Sequence, residues 1–164
     1  MPSTTDTVDP TLFDAGVFIA ALLKGDPRHA EARPLVEAAR CGEIQVCTTA
    51  SILSEVYGAL TWEKTQPCHA PQEAAEAIRL LVEKPSAIQV LNVGLDVALR
   101  ALELAAAHNL TARRIHDARH AATALLANVR SVYTYDAEDW EVFETDGLQI
   151  VGPTSVVQGP RHRL

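Results

Sequence analysis

Short stretches of alternating apolar and polar residues are separated along this chain by longer ones whose apolar residues recur at helical spacing. Thr11-Leu12-Phe13 reads as a short strand ending at Asp14, and Gly16 to Lys24 as a helix stopped by Gly25-Asp26-Pro27. Pro27 suits a first helical position behind Asp26 as cap, so a second helix is expected to about Arg40, with Gly42 its stop. Ile44 to Thr48 alternates as a strand, and Thr49 can cap a helix over Ala50 to Trp62. Thr65 to Pro71 is a loop, Gln72 to Lys84 a helix ended by Pro85, and Ala87 to Leu91 a strand. Gly94 to His108 forms the next helix, with Asn109 as a left-handed stop, and another runs from Asp117 to about Asn128. Ser131 to Tyr135 and Leu148 to Val151 are the last strands, joined by a turn or short helix.

Strands alternating with helices this long imply crossover connections. The expected fold is a single α/β domain, a mostly parallel β-sheet flanked by α-helices on both faces. Residues 1–10, with Pro2 and Pro10, read as a loose leader, residues 11–151 as the domain, and residues 152–164 as a loose tail.

Composition narrows the function. The 164 residues are 48% hydrophobic and 21% charged, so one well-cored domain is expected. A formal net charge of −7 argues against nucleic-acid binding through bulk positive charge, though not against a metal-bearing site with a local basic strip. Cys41, Cys47 and Cys68 have neither a disulfide count nor a zinc-type spacing, which fits a reducing cytoplasm. Ala15 to Leu23, the longest apolar run, falls short of the roughly 20 residues of a membrane span. Asp6, Asp9 and Asp14 precede the first base, Lys24, unlike a signal peptide. A soluble, cytoplasmic protein without membrane contact is the expectation.

In an open parallel sheet, ligands gather beyond the carboxyl ends of the strands. Asp14 and Asp136 end two strands, Asp117 opens a helix, and Glu55 lies two turns into the helix after strand Ile44–Thr48. All four can face one edge of the sheet, with Asp139 and Asp96 as further candidates. Singly, each has a plainer reading as helix cap, Asx turn or solvated residue. Their apolar neighbours fit that reading poorly: Leu12, Phe13, Val17 and Phe18 around Asp14, and Ile52, Leu53, Val56 and Tyr57 around Glu55. Carboxylates gathered in partly dry surroundings repel one another unless a cation sits between them. An all-oxygen donor set suits Mg²⁺ or Mn²⁺. The matching chemistry is phosphodiester hydrolysis, with Arg113, Arg114 and Arg119 as candidate substrate contacts.

In this order, the segments resemble a PIN domain, and within that family the VapC-type ribonuclease toxins. The matching stretches are Leu12-Phe13-Asp14, Thr48-Thr49 through Glu55-Val56, His116-Asp117 through Ala124, and Val132 through Asp136-Ala137-Glu138-Asp139-Trp140. The resemblance implies a parallel sheet flanked by helices and Mg²⁺- or Mn²⁺-dependent RNA cleavage. It maps the catalytic acids onto Asp14, Glu55, Asp117 and Asp136, with Asp14, Asp117 and Asp136 as metal ligands and Glu55 and Asp139 assisting. It also implies a homodimer silenced by a small cognate antitoxin. One departure stands out: Ala15 and Gly16 occupy positions where the family often places a hydroxyl or amide side chain.

Two other functions compete. His116 and His120 stand at i and i+4, as in zinc hydrolases, with Asp117 where those carry a longer Glu, and His162 is the only late third histidine. A catalytically weak or inactive partner-binding module is the plainer alternative. A phospho-receiver domain needs a lysine at the end of a late strand, and none follows Lys84.

Overall fold

A computed structural model of the chain describes residues 8–153. Most of the expected leader and tail lies outside the described residues, at 1–7 and 154–164. Five strands, β1 (Thr11–Phe13), β2 (Val46–Thr49), β3 (Gln89–Leu91), β4 (Ser131–Tyr133) and β5 (Gln149–Ile150), form one sheet in the order β3-β2-β1-β4-β5. Every pairing is parallel. The helices are α1 (Ala15–Leu22), α2 (His29–Arg40), α3 (Ala50–Thr61), α4 (Pro71–Val82), α5 (Leu95–Ala107), α6 (Ile115–Leu126) and α7 (Ala137–Glu141), with short 3₁₀ turns at Ala112–Arg114 and Val142–Asp146. The expected α/β architecture is therefore present.

Apolar burial explains the layering. All four residues of β2 are buried, so both of its faces are covered. α1 buries Ala15, Val17, Phe18, Ala20 and Ala21, and packs against α2 and α3, while α5 and α6 pack as a pair. Small residues on α6 (Ala118, Ala121, Ala122 and Ala124, all buried) let it approach its neighbours closely. No helix among the described residues is long and apolar enough to cross a membrane.

Element boundaries differ from the expected ones for local reasons. α2 begins at His29 rather than Pro27, because the Asp26 carboxylate accepts the Arg28 backbone N–H at 2.8 Å and holds a turn there. β4 stops at Tyr133, because the Thr134 hydroxyl accepts the Asp136 N–H at 3.0 Å and turns the chain. β2 starts two residues later than expected and ends one later, leaving Ile44 exposed, and its last residue, Thr49, caps α3 through the Ile52 N–H. The left-handed stops at Gly42 (φ +77°) and Asn109 (φ +54°) are as expected.

From β1 the chain steps outward through β2 to β3, then returns to β4 on the other side of β1. The carboxyl ends of β1 and β4 thus flank the point where strand order reverses, the usual location of a crevice in such sheets.

Candidate active site

Asp14 leaves β1 as the N-cap of α1, and its Oδ1 accepts the Ala15 N–H at 2.8 Å. Its Oδ2 accepts two bonds from the far end of the chain: Thr134 Oγ1 donates at 2.8 Å and Trp140 Nε1 at 3.0 Å. Both donors are buried. The hydroxyl lacking at Ala15 and Gly16 thus reaches Asp14 from Thr134. Across the strand-order reversal, Asp136 occupies the N-cap position of α7 without a side-chain capping bond, and a Cβ placed on Gly16 would lie 3.8 Å from its Oδ2. Crowding by protein, together with the charges of Asp14 and Asp139, pushes the Asp136 carboxyl above its ordinary range, against a smaller pull from Arg28.

Asp117 stands in the first turn of α6. Burial and the nearby charge of Asp139 raise its carboxyl above the usual range, despite a 3.0 Å bond from Arg114 Nε to its Oδ2. Arg114 Nη2 also donates to the Asp139 carbonyl at 3.0 Å, tying α6 to α7. Asp136 thus feels the charges of Asp14 and Asp139, and Asp117 that of Asp139.

Glu55 is held differently. It sits on α3 and accepts a 2.6 Å bond from Nε2 of His120, a buried residue of α6 whose Nδ1 lies 3.4 Å from Thr49 Oγ1. Burial raises the Glu55 carboxyl, but His120, with His116 and Arg119 adding, holds it below its ordinary range. The two histidines therefore do not converge on an ion: His120 uses both nitrogens inside the fold, and His116 Nδ1 accepts from Arg119 Nη2 at 3.0 Å. His162 lies outside the described residues.

Asp96 stands in the first turn of α5, which follows the edge strand β3. The three arginines also part company: Arg113 is exposed, Arg114 is engaged with Asp117, and Arg119 turns toward His116. Sequence patterns gave no signal for Arg28. It lies 4.5 Å over the Tyr135 ring, bonds Asp26 through Nε (3.1 Å) and Nη2 (3.2 Å), and pulls on Asp136.

Among the described residues, no three His, Cys, Asp or Glu side chains converge as a ready cation cage. Mg²⁺ does not need one, since one or two carboxylates with waters and substrate phosphates usually suffice. Asp136, within reach of the charges of Asp14 and Asp139, fits that requirement. A hollow of about 720 Å³ lies elsewhere, among Thr11, Ile44, Gln45 and Val46 at the amino end of the sheet.

The architecture matches known structures. The Mycobacterium tuberculosis VapC20 toxin, described as cleaving the sarcin–ricin loop, superposes with a TM-score of 0.65 at 22% identity, over 87% of this chain and 99% of that one. A DNA-bound VapBC from Salmonella typhimurium gives 0.59 at 17% identity, over 88% and 98%. A Klebsiella pneumoniae toxin–antitoxin complex gives 0.53 at 24% identity, over 79% and 89%. No curated protein matches the chain significantly. The PIN domain family profile, by contrast, matches residues 11–143, from the strand that ends at Asp14 through the helix that carries Trp140. This chain belongs to the PIN domain family.

Proposed function

We propose that the chain is a divalent-metal-dependent endoribonuclease that hydrolyses RNA phosphodiester bonds, and the toxin of a toxin–antitoxin pair. The observation that carries this reading is the meeting of acids at the strand-order reversal, where partial burial, with the charges of Asp14 and Asp139 adding, pushes the Asp136 carboxyl up. Asp14, Asp117 and Asp136 would hold Mg²⁺ or Mn²⁺, with Glu55 and Asp139 beside them. When bound, the ion supplies a water of lowered pKa and positive charge at the scissile phosphate.

The remaining residues keep the acids in place. Thr134 and Trp140 fix Oδ2 of Asp14 and leave Oδ1 at the mouth of α1. Arg114 orients Asp117, and His120 anchors Glu55. Such fixed geometry matters because electrostatic stabilisation works only where the groups are already aimed.

Solved toxin–antitoxin complexes among the structural neighbours support a small protein antitoxin as partner. A homodimer is the proposed working form, with α5 in its interface: Val97, Ala101 and Leu104 face the core, while Leu95, Leu99 and Leu102 are exposed. A cytoplasmic location goes with an RNA substrate.

Cleavage of labelled RNA in MgCl₂ by the native chain, beside Asp14→Asn and Asp117→Asn, tests the reading. Loss of at least about a hundredfold in both variants, and in the native chain with EDTA, is expected. Equal cleavage by all three proteins overturns it.

A further inference from the structure

α3 and α6 share a hollow of about 370 Å³ lined by Ser51, Ser54, Glu55, His116 and Arg119. α3 lines it with the hydroxyls of Ser51 and Ser54 and with Glu55, already bonded to His120 at 2.6 Å, and α6 with His116 and Arg119, whose charge acts on Glu55. Arg119 Nη2 is tied to His116 at 3.0 Å, while its Nε is buried without a partner. A buried N–H left unpaired is costly, and its presence in a hollow lined by hydroxyls points to an absent acceptor.

The acceptor's chemistry follows from the donors. An arginine guanidinium and two hydroxyls suit a tetrahedral oxyanion with several free oxygens, and the charge of Arg119 offsets that of Glu55 beside it. A chain with net charge −7 draws RNA weakly from a distance, so the strand must be gripped by local donors. Single-stranded RNA brings a phosphate with every nucleotide, so a site that cuts one linkage has further phosphates on either side. We propose that this hollow seats a non-scissile phosphate of the RNA strand, with Arg119, Ser51 and Ser54 as its donors. The proposal rests on the ribonuclease reading and adds a substrate subsite to it. It also separates the arginines: Arg119 grips substrate, whereas Arg114 serves Asp117.

Fluorescence anisotropy of a labelled, mixed-sequence oligoribonucleotide on the Asp14→Asn chain provides the test. Adding Arg119→Ala is expected to weaken binding about tenfold and to flatten the salt dependence by the share of one phosphate, about 0.7 in the log–log slope. The Ser51→Ala/Ser54→Ala pair, which removes only two hydroxyls and spares the fold, is expected to weaken binding several-fold. Arg119→Lys should recover part of the affinity. With Asp14 intact, Arg119→Ala should raise KM more than it lowers kcat. If Arg119→Ala and the serine pair bind as tightly as their parent, the subsite is refuted while cleavage by the native chain still stands. Arg119-dependent binding of an acidic peptide, without such dependence for RNA, refutes it in favour of a protein ligand. If the native chain neither binds nor cuts RNA, the ribonuclease reading itself falls.

Discussion

At the scale of single residues, the decisive contrast is between acids with a partner and an acid without one. Glu55 has His120, Asp117 has Arg114, and Asp14 has Thr134 and Trp140, whereas Asp136 meets partial burial and the charges of Asp14 and Asp139 against a smaller pull from Arg28. A carboxyl raised in the folded state is disfavoured there as an anion. That penalty is complete above its folded value, shrinks as pH falls, and vanishes below the ordinary 3.8. Asp136→Asn is therefore expected to raise the melting temperature at pH 7, with the gain closing in strong acid. Added MgCl₂ should raise the melting temperature of the native chain more than that of the variant. A variant that melts below the native chain at pH 7 contradicts this account. Asp14, Asp117 and Asp136 were legible in the sequence because strand ends and helix starts are local signals. The partners of Asp14 and Glu55 were not, because helical spacing tells which face His120 is on and nothing about what stands opposite. That is why His116 and His120 looked like a zinc pair.

Among the elements, α7 is too short to be stable alone, at 5 residues, and depends on how it docks. Trp140 anchors it, with the ring buried against Phe143 and the indole N–H on Asp14. Trp140→Phe keeps an aromatic ring there but leaves Asp14 one donor short. It is expected to cost about 2 kcal/mol of stability, read as a lower urea midpoint at unchanged slope. Cleavage should fall as well, because Asp14 loses one of the two bonds fixing Oδ2. Helix and strand order was readable throughout, since each element carries its own periodicity. Ends moved where a side chain competed with the backbone: Asp26 delayed α2, and Thr134 cut β4 short.

For the whole molecule, the exposed leucines of α5 are the feature that a lone chain does not explain. Leu95, Leu99 and Leu102 are 75%, 54% and 59% exposed at successive turns of one helix. Leu99→Glu with Leu102→Glu is expected to convert a dimer to a monomer in light scattering while leaving the circular dichroism unchanged. A native chain that is already monomeric at micromolar concentration refutes that interface. The sheet order has a different consequence. Asp14 is held by Thr134 and Trp140, which are 120 and 126 residues further along the chain. During translation, the first acid leaves the ribosome well before the groups that aim it have been made. A nascent or prematurely terminated polypeptide therefore carries Asp14 without its hydroxyl and indole donors, and the acid site is assembled only after synthesis has passed β4 and α7.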